Sequence, residues 1–436
     1  MAKLSVIGAG IMGQYSARAL EGKFDEVFVY DPNKSPFELG ESFKGLPFKF
    51  CGDLKTAVEQ SDFVLYCVPS EKVEGTMAKS LPFCKTGAII SGQTSRKTPE
   101  KQAFDKYNLQ NPGRLEMVTI HTMCNPSASI PKNEILAIIP NGCSEAAYRK
   151  AVEFYGGMST HVEHFKSVEE HDNVLANTQV NTSRTNLSIA SAFASAGSFP
   201  WVNGSYGSGL DVMKFALAMR SASLPAHVYR GIQFGNEHGR NLVALSANVG
   251  SALRIMIKDQ SMHNDLEKEI LDTRKKLFGD EKRTILRDED VNQFGKGKSL
   301  PNSQIALILY AMDDAQKGRN PFDYLKGTTP MHTSLLCLTD YLFKREGLLE
   351  ASVDAIRKQI TLRDDSVFFD EWLAWEEAIR LQNPEQYDSQ HGKMSERLRR
   401  IVPSKNMKEY LDLSKTIVGV CRQRMTEAAK LGIISC

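Results

Sequence analysis

An α/β domain followed by an all-α region is the fold class this sequence predicts, and three observations predict it. Short apolar runs alternate with helical patterns from residue 3 to about residue 165. A glycine-rich turn follows directly on the first of those runs. From about Val168 the strand-like runs vanish, and long segments with helical spacing take their place.

The alternating part is carried by LSVIGAG, EVFVYD, DFVLYCVP, GAIISG, EMVTIH and EILAIIP, each bounded by turn residues. Runs this short and this apolar, separated by helical stretches, imply βα units around a mostly parallel sheet buried on both faces. The expected first domain is therefore residues 1–165 and the expected helical region residues 166–436. VEEHDNVLANTQVNTSRTNLSIASAFASAG and HVYRGIQFGNEHGRNLVALSANVGSALRIMI keep helical spacing over many turns. The charged stretch from Asp265 to Lys298 reads as a solvated helix plus loop, and no internal repeat calls for a solenoid. By analogy of fold alone, such a helical region supplies a substrate wall and a dimer interface.

With 42% apolar and 24% charged residues and a formal charge of +2, the chain gives no reason to expect nucleic acid or an acidic membrane as partner. A small molecule is the expected ligand. Eight cysteines are scattered without a C-x-x-C pair, which fits neither a disulfide framework nor a zinc site, so no metal is expected and the thiols read as reduced. Met1-Ala2-Lys3 runs straight into a buried-strand pattern, and no apolar stretch approaches the about 18 residues of a membrane helix. The expectation is a soluble, cytoplasmic protein.

The opening strand Leu4 to Ile7 leads into Gly8-Ala9-Gly10-Ile11-Met12-Gly13 and then the helical QYSARALEG. Gly8 suits a tight turn, Gly10 lets the backbone approach a pyrophosphate, and Gly13 permits close helix-to-strand packing. The N–H groups around Ile11 and Met12 are then free for the anion. G-x-G-x-x-G alone is a weak motif. Here it has the preceding strand, the following helix, and Asp31 closing EVFVYD 23 residues after Gly8, which together predict a Rossmann-type dinucleotide-binding domain. Asp31 would accept from a ribose 2′-OH, which favours NAD, whereas Lys34 could receive a 2′-phosphate or be a solvated loop lysine. These residues leave the choice open. Val68-Pro69-Ser70, closing DFVLYCVP, is expected on the nicotinamide side of the cleft.

Chemistry in an open α/β sheet lies beyond the carboxyl ends of the strands. Two segments qualify: Ser91-Gly92-Gln93-Thr94-Ser95-Arg96-Lys97, and His121-Thr122-Met123-Cys124-Asn125-Pro126. Of nine histidines only His121 follows directly on an expected central strand of the cofactor domain. Its imidazole could take the proton of a carbinol whose hydride leaves for a nicotinamide. Position alone does not separate that role from a structural histidine.

At these segments the chain resembles the prephenate dehydrogenases, in particular the monofunctional fungal-type enzymes of tyrosine biosynthesis. The resemblance is carried in one order by G-A-G-I-M-G, GQTSRKTPEKQAFDKY, TIHTMCNP, EEHDNVLANTQ, the arginine of KFALAMRS, LPNSQIAL and EGLLEASVDA. It implies an oxidative decarboxylation, with hydride passing from the ring C4 carbinol of prephenate to NAD(P)+ as CO2 departs, and it leans to NADP. It implies that His121 bonds the C4 hydroxyl and that Ser95, in the family's S-x-K loop, orients that histidine and the nicotinamide. Arg220 matches the arginine that holds a carboxylate of this dicarboxylate substrate, a bidentate pairing suited to guanidinium. A homodimer through the helical region is also implied.

Asp172, Gln179 and Ser183 follow at i, i+7 and i+11, one stripe of a helix, either a cleft wall or an interhelical hydrogen-bond seam. Where the family has a histidine after the threonine, this chain has Ser183 and then Arg184, and both are candidate substrate-binding residues with Gln179. Met123-Cys124-Asn125-Pro126 also departs, lacking the usual glycine before the proline. These departures leave open arogenate, 4-amino-4-deoxyprephenate, or a secondary-metabolite carbonyl or imine as substrate. A nicotinamide-binding regulator without turnover is the remaining alternative.

Overall fold

The computed structural model describes residues 2–123, 134–197, 208–295, 304–358, 363–402 and 404–434. The chain divides into two compact units, Met1–Val174 and Leu175–Cys436.

In the first unit the strands are β1 (Lys3–Ile7), β2 (Glu26–Tyr30), β3 (Phe48–Phe50), β4 (Phe63–Tyr66), β5 (Ile89–Gly92), β6 (Glu116–Thr122), β7 (Ile135–Pro140) and β8 (His161–His164). They form one sheet in the order β3-β2-β1-β4-β5-β6-β7-β8. All neighbours are parallel except β6 and β7, which are antiparallel. The helices are α1 (Ile11–Ala19), α2 (Pro36–Ser42), α3 (Leu54–Val58), α4 (Ser70–Ser80), α5 (Thr98–Gln110), α6 (Glu145–Tyr155) and α7 (Val168–Leu175).

Period-two alternation distributes the strand side chains to both faces. Phe63 and Leu65 of β4 join one apolar layer with Val6, Val29 and Ile138, while Val64 and Tyr66 join the other with Ile7, Ile90 and Met117. Burial on both faces is what makes these strands read as continuous apolar runs. The strand order reverses at β1, so the ends of β1 and β4 flank the crevice where open α/β sheets take dinucleotides.

The second unit is helical throughout its described residues and begins with a π-helical turn, Ala176–Asn181, followed by α8 (Thr182–Ala196) and α9 (Gly209–Ala222). A π turn widens the helix and moves every later side chain round the axis, so a stripe counted at 3.6 residues per turn does not survive it. The charged stretch forms the amphipathic helix His263–Phe278, whose Leu266, Ile270 and Leu277 enter the core. Among the described residues no helix is long and apolar enough to cross a membrane.

Candidate active site

The glycine turn has the backbone its sequence demands. Gly8 has φ +101°, and a Cβ there would lie 2.8 Å from the Cys67 carbonyl oxygen. A Cβ on Gly13 would lie 2.0 Å from the Gly8 oxygen, so only glycine lets α1 start this close to β1. Gly10 differs: a Cβ there meets nothing within 4 Å, and Gly10 gives the start of α1 no side-chain cap. That combination of open space and uncapped N–H groups fits a dinucleotide pyrophosphate. Ile11 is exposed, Met12 packs partly against the core, and Val68, Pro69 and Ser70 lead from β4 into α4.

Asp31 and Lys34 hold both polar groups of Ala9. The Ala9 N–H donates to Asp31 Oδ2 at 2.8 Å, and Lys34 Nζ donates to the Ala9 carbonyl at 2.8 Å and to Ser42 Oγ at 3.1 Å. Lys34 is thus neither a free loop lysine nor remote from the turn, and Asp31 braces the turn through the carboxylate that the sequence assigned to a ribose.

Beyond Ile90 the ladder between β5 and β6 opens and side chains replace it. Ser91 Oγ donates to the Val118 carbonyl at 2.5 Å, and the Gly92 N–H donates to Thr119 Oγ1 at 3.1 Å. The carboxylate of Glu100 occupies the gap, so close to Gly92 that a Cβ would stand 2.3 Å from its Cδ. Thr94 and Thr119 hydroxyls bond this carboxylate, and Lys97 Nζ donates to it at 3.1 and 3.2 Å and to the Gly92 carbonyl at 2.9 Å. Lys97 and Glu100 are wholly buried. Burial pushes the Lys97 ammonium down in pKa, against the opposing pull of Glu100. Gln93 ties the same loop to its surroundings, donating to Thr122 Oγ1 at 2.9 Å and Ser16 Oγ at 3.2 Å and accepting from the Thr122 N–H.

His121 lies near the end of β6, 3% exposed, with Nδ1 3.2 Å from Nε2 of His171. His171 Nδ1 is 2.9 Å from Asp172 Oδ1. Ser167 starts α7, accepting from the Glu170 N–H at 3.2 Å, which sets the buried pair His171 and Asp172 in its first turn. Asp172 in turn caps α5, accepting from the N–H groups of Lys97 at 3.1 Å and Thr98 at 2.9 Å and from the Thr98 hydroxyl at 2.6 Å.

Burial pushes His121 well below its usual pKa, with His171 and Lys97 adding to the effect. His171 is also lowered by burial, partly offset by its bond to Asp172. For Asp172 burial acts upward, but the bonds from His171, Thr98 and Lys97 together hold the carboxyl below its usual range. The arrangement is a neutral, water-poor imidazole backed by a second imidazole and a carboxylate, which suits proton transfer.

The expected partner of His121 was Ser95, and here the geometry corrects the sequence. Among the described residues no hydrogen bond joins them: Ser95 is half-buried in the loop whose ends are fixed by Thr94 and Lys97, and the Nδ1 of His121 is taken by His171. Cys124, Asn125 and Pro126 lie outside the described residues. Sequence reasoning missed His171, Asp172, Lys97 and Glu100 as a connected set. The His-Asp pair opening a helix was the available signal.

In the second unit, Arg220 stands in the last turn of α9, partly exposed, its guanidinium without a hydrogen bond or ion pair among the described residues. Ser183 is buried and accepts from Gln233 Nε2 at 2.8 Å, and Gln233 accepts from the Tyr387 hydroxyl at 2.6 Å. Its place is the interhelical seam rather than the cleft-wall stripe. Gln179 is half-buried within the π turn, its Oε1 without a partner among the described residues. Arg184 is completely buried, its guanidinium 3.5 Å from the centre of the Trp372 ring and bonded to Asn181 Oδ1 at 2.7 Å. Packing of its own unit, not an open face, surrounds it.

Residues 180–417 match a family model described as a 6-phosphogluconate dehydrogenase C-terminal domain, and residues 3–116 match the NAD binding domain of 6-phosphogluconate dehydrogenase. The chain is 27% identical over 422 residues to a Saccharomyces cerevisiae protein named prephenate dehydrogenase (NADP+), covering 93% of this chain and 91% of that one. It is 26% identical over 389 residues to a Schizosaccharomyces pombe protein named probable prephenate dehydrogenase (NADP+), covering 86% and 89%. Among solved structures, Synechocystis arogenate dehydrogenase aligns with a TM-score of 0.45 at 14% identity, over 61% of this chain and 96% of that one.

Proposed function

Because the chain belongs to a family of 6-phosphogluconate dehydrogenase C-terminal domains, we propose that it is an NADP-dependent prephenate dehydrogenase. It converts prephenate to 4-hydroxyphenylpyruvate and CO2. The observation that carries the reading is the buried, neutral His121 at the carboxyl end of β6, in the same unit as a glycine turn built for a dinucleotide. The names of the two fungal relatives support both the substrate and the choice of NADP.

When bound, NADP+ supplies the hydride acceptor. Gly8, Gly10 and Gly13 leave its pyrophosphate room at the start of α1, with Lys34 the cation nearest the turn. His121 takes the C4 hydroxyl proton, since a neutral imidazole is the base this step needs. Arg220 holds a substrate carboxylate with a guanidinium that no described residue neutralises. Ser95 belongs to the same site, its hydroxyl left over for a ligand. Ser183 and Arg184, which had opened the way to other substrates, are engaged by Gln233, Asn181 and Trp372 and give no reason to prefer arogenate or an imine.

The six described cysteines are free thiols, which suits the cytosol, and homodimerisation through the helical unit belongs to the same proposal. The test is a substrate and cofactor panel with product identification. Prephenate with NADP+ should yield NADPH, CO2 and 4-hydroxyphenylpyruvate. Turnover of arogenate in preference to prephenate, or of neither, would overturn the reading.

A further inference from the structure

We propose that His171 and Asp172 are positioning residues for this reaction: through two hydrogen bonds they fix His121 in the tautomer that leaves its Nε2 lone pair as the proton acceptor. The inference rests on the dehydrogenase reading for its chemistry, but its geometry stands without it.

The chain of protons starts at Asp172. Its carboxylate already accepts from two backbone N–H groups and a hydroxyl at the start of α5, so it is ionised and has no proton to give. The 2.9 Å contact with His171 Nδ1 therefore requires the proton on that nitrogen. A neutral imidazole protonated at Nδ1 is bare at Nε2, and this is the atom 3.2 Å from His121 Nδ1. His121 must then donate from Nδ1, and its own Nε2 is left bare. Complete burial of His171 and the nearby Lys97 ammonium disfavour the doubly protonated alternative. Glu100 pairs with Lys97, so the carboxylate facing the imidazoles directly is that of Asp172.

The reaction gives this pair a second task. As the C4–H bond breaks with its electron pair, the hydroxyl proton passes to His121 Nε2 and C4–O becomes a carbonyl. The imidazolium so formed can shift its Nδ1 proton to His171 Nε2, where the positive charge lies against Asp172. When the bond from the ring to its carboxylate breaks, that electron pair enters the ring, CO2 leaves, and the oxygen, now a phenolate, takes the proton back. No net proton is released, so a buried relay that holds one proton and returns it is sufficient, with no route to solvent.

The first test needs no substrate: proton–nitrogen correlation spectra of the full chain with labelled imidazoles. The expected result is an Nδ1–H tautomer for both His121 and His171, and an Nε2–H tautomer for His121 would overturn the proposal. The second compares two variants. His171→Phe removes the acceptor and should lower kcat about 100-fold with KM for prephenate within about threefold of wild type, whereas His171→Gln, which keeps an acceptor, should stay within about tenfold. Equal losses in both variants, or wild-type kcat in His171→Phe, would contradict it. Should His171→Phe fail to fold, the spectra and His171→Gln still decide. A wild-type chain that shows both Nδ1–H tautomers yet leaves prephenate untouched defeats the substrate assignment and retains the relay.

Discussion

Each unit buries a cluster of charges, and the clusters differ in how fully their polar atoms are paired. In the first, the Lys97 ammonium has three acceptors, Glu100 has two hydroxyls besides that lysine, and Asp172 has four donors. In the second, Asp313 Oδ2 accepts from Asn181, Ser246 and Lys317, while Asp313 Oδ1 and Arg184 Nε and Nη1 have no hydrogen-bond partner among the described residues. Burial pushes the Arg184 guanidinium down to about 10, and burial together with Asp313 pushes the Asp314 carboxyl up to about 7. A saturated network in a low-dielectric interior enforces one pattern of protons, whereas an unsaturated one leaves its charge states responsive to pH. The saturated cluster is the one that backs His121.

Breaking the saturated cluster should have the largest effect on stability. Lys97→Met leaves the Glu100 carboxylate buried without its cation and should cost about 3–5 kcal/mol in urea unfolding, with Lys97→Met/Glu100→Gln recovering most of it. A single-variant loss below about 1 kcal/mol would show that the pairing is not what holds the loop.

Acid should act next. His332 is buried and lowered to about 4 by burial, and His121 and His171 are lowered for the same reason. The unfolded chain then binds protons that the folded chain refuses, so stability is complete above about 6.5 and is lost as pH falls toward 4. His332 alone should account for on the order of 3 kcal/mol, and His332→Gln should flatten that limb of a stability–pH curve.

Asp314 has the opposite sign. Its folded pKa lies above the ordinary value of about 3.9, so its contribution is present below that value and is lost as pH rises through 7. Asp314→Asn should therefore raise stability at pH 8 by on the order of 1–3 kcal/mol and change it little at pH 5. An equal effect at both would place the proton elsewhere.

The smallest expected effect on stability is at the cofactor turn. Gly10→Ala has open space for its methyl group, so stability should stay within about 0.5 kcal/mol while KM for NADP+ rises about tenfold. Unchanged KM would move the pyrophosphate away from Gly10.

How much of this was legible in the sequence follows from what periodicity can carry. The six buried strands announced themselves as apolar runs, and Gly8, Gly10 and Gly13 by spacing and context. β3 and β8 did not: Phe48–Phe50 is three residues long and His161–His164 is polar and largely exposed, so neither presents a run. The stripe through Asp172, Gln179 and Ser183 failed because the π turn at Ala176–Asn181 changes the angular step between them. His121 was legible from its strand. Its true partner was not, because the bond to His171 spans 50 residues of sequence, and only the fold brings the start of α7 to β6.

The role of His121 is tested most directly by prephenate turnover in the wild type and in His121→Asn, measured alongside NADP+ binding by calorimetry. Wild-type chain should form NADPH with prephenate, and the variant should bind NADP+ equally well yet turn over at least about 100-fold more slowly. Undiminished turnover in His121→Asn would contradict it.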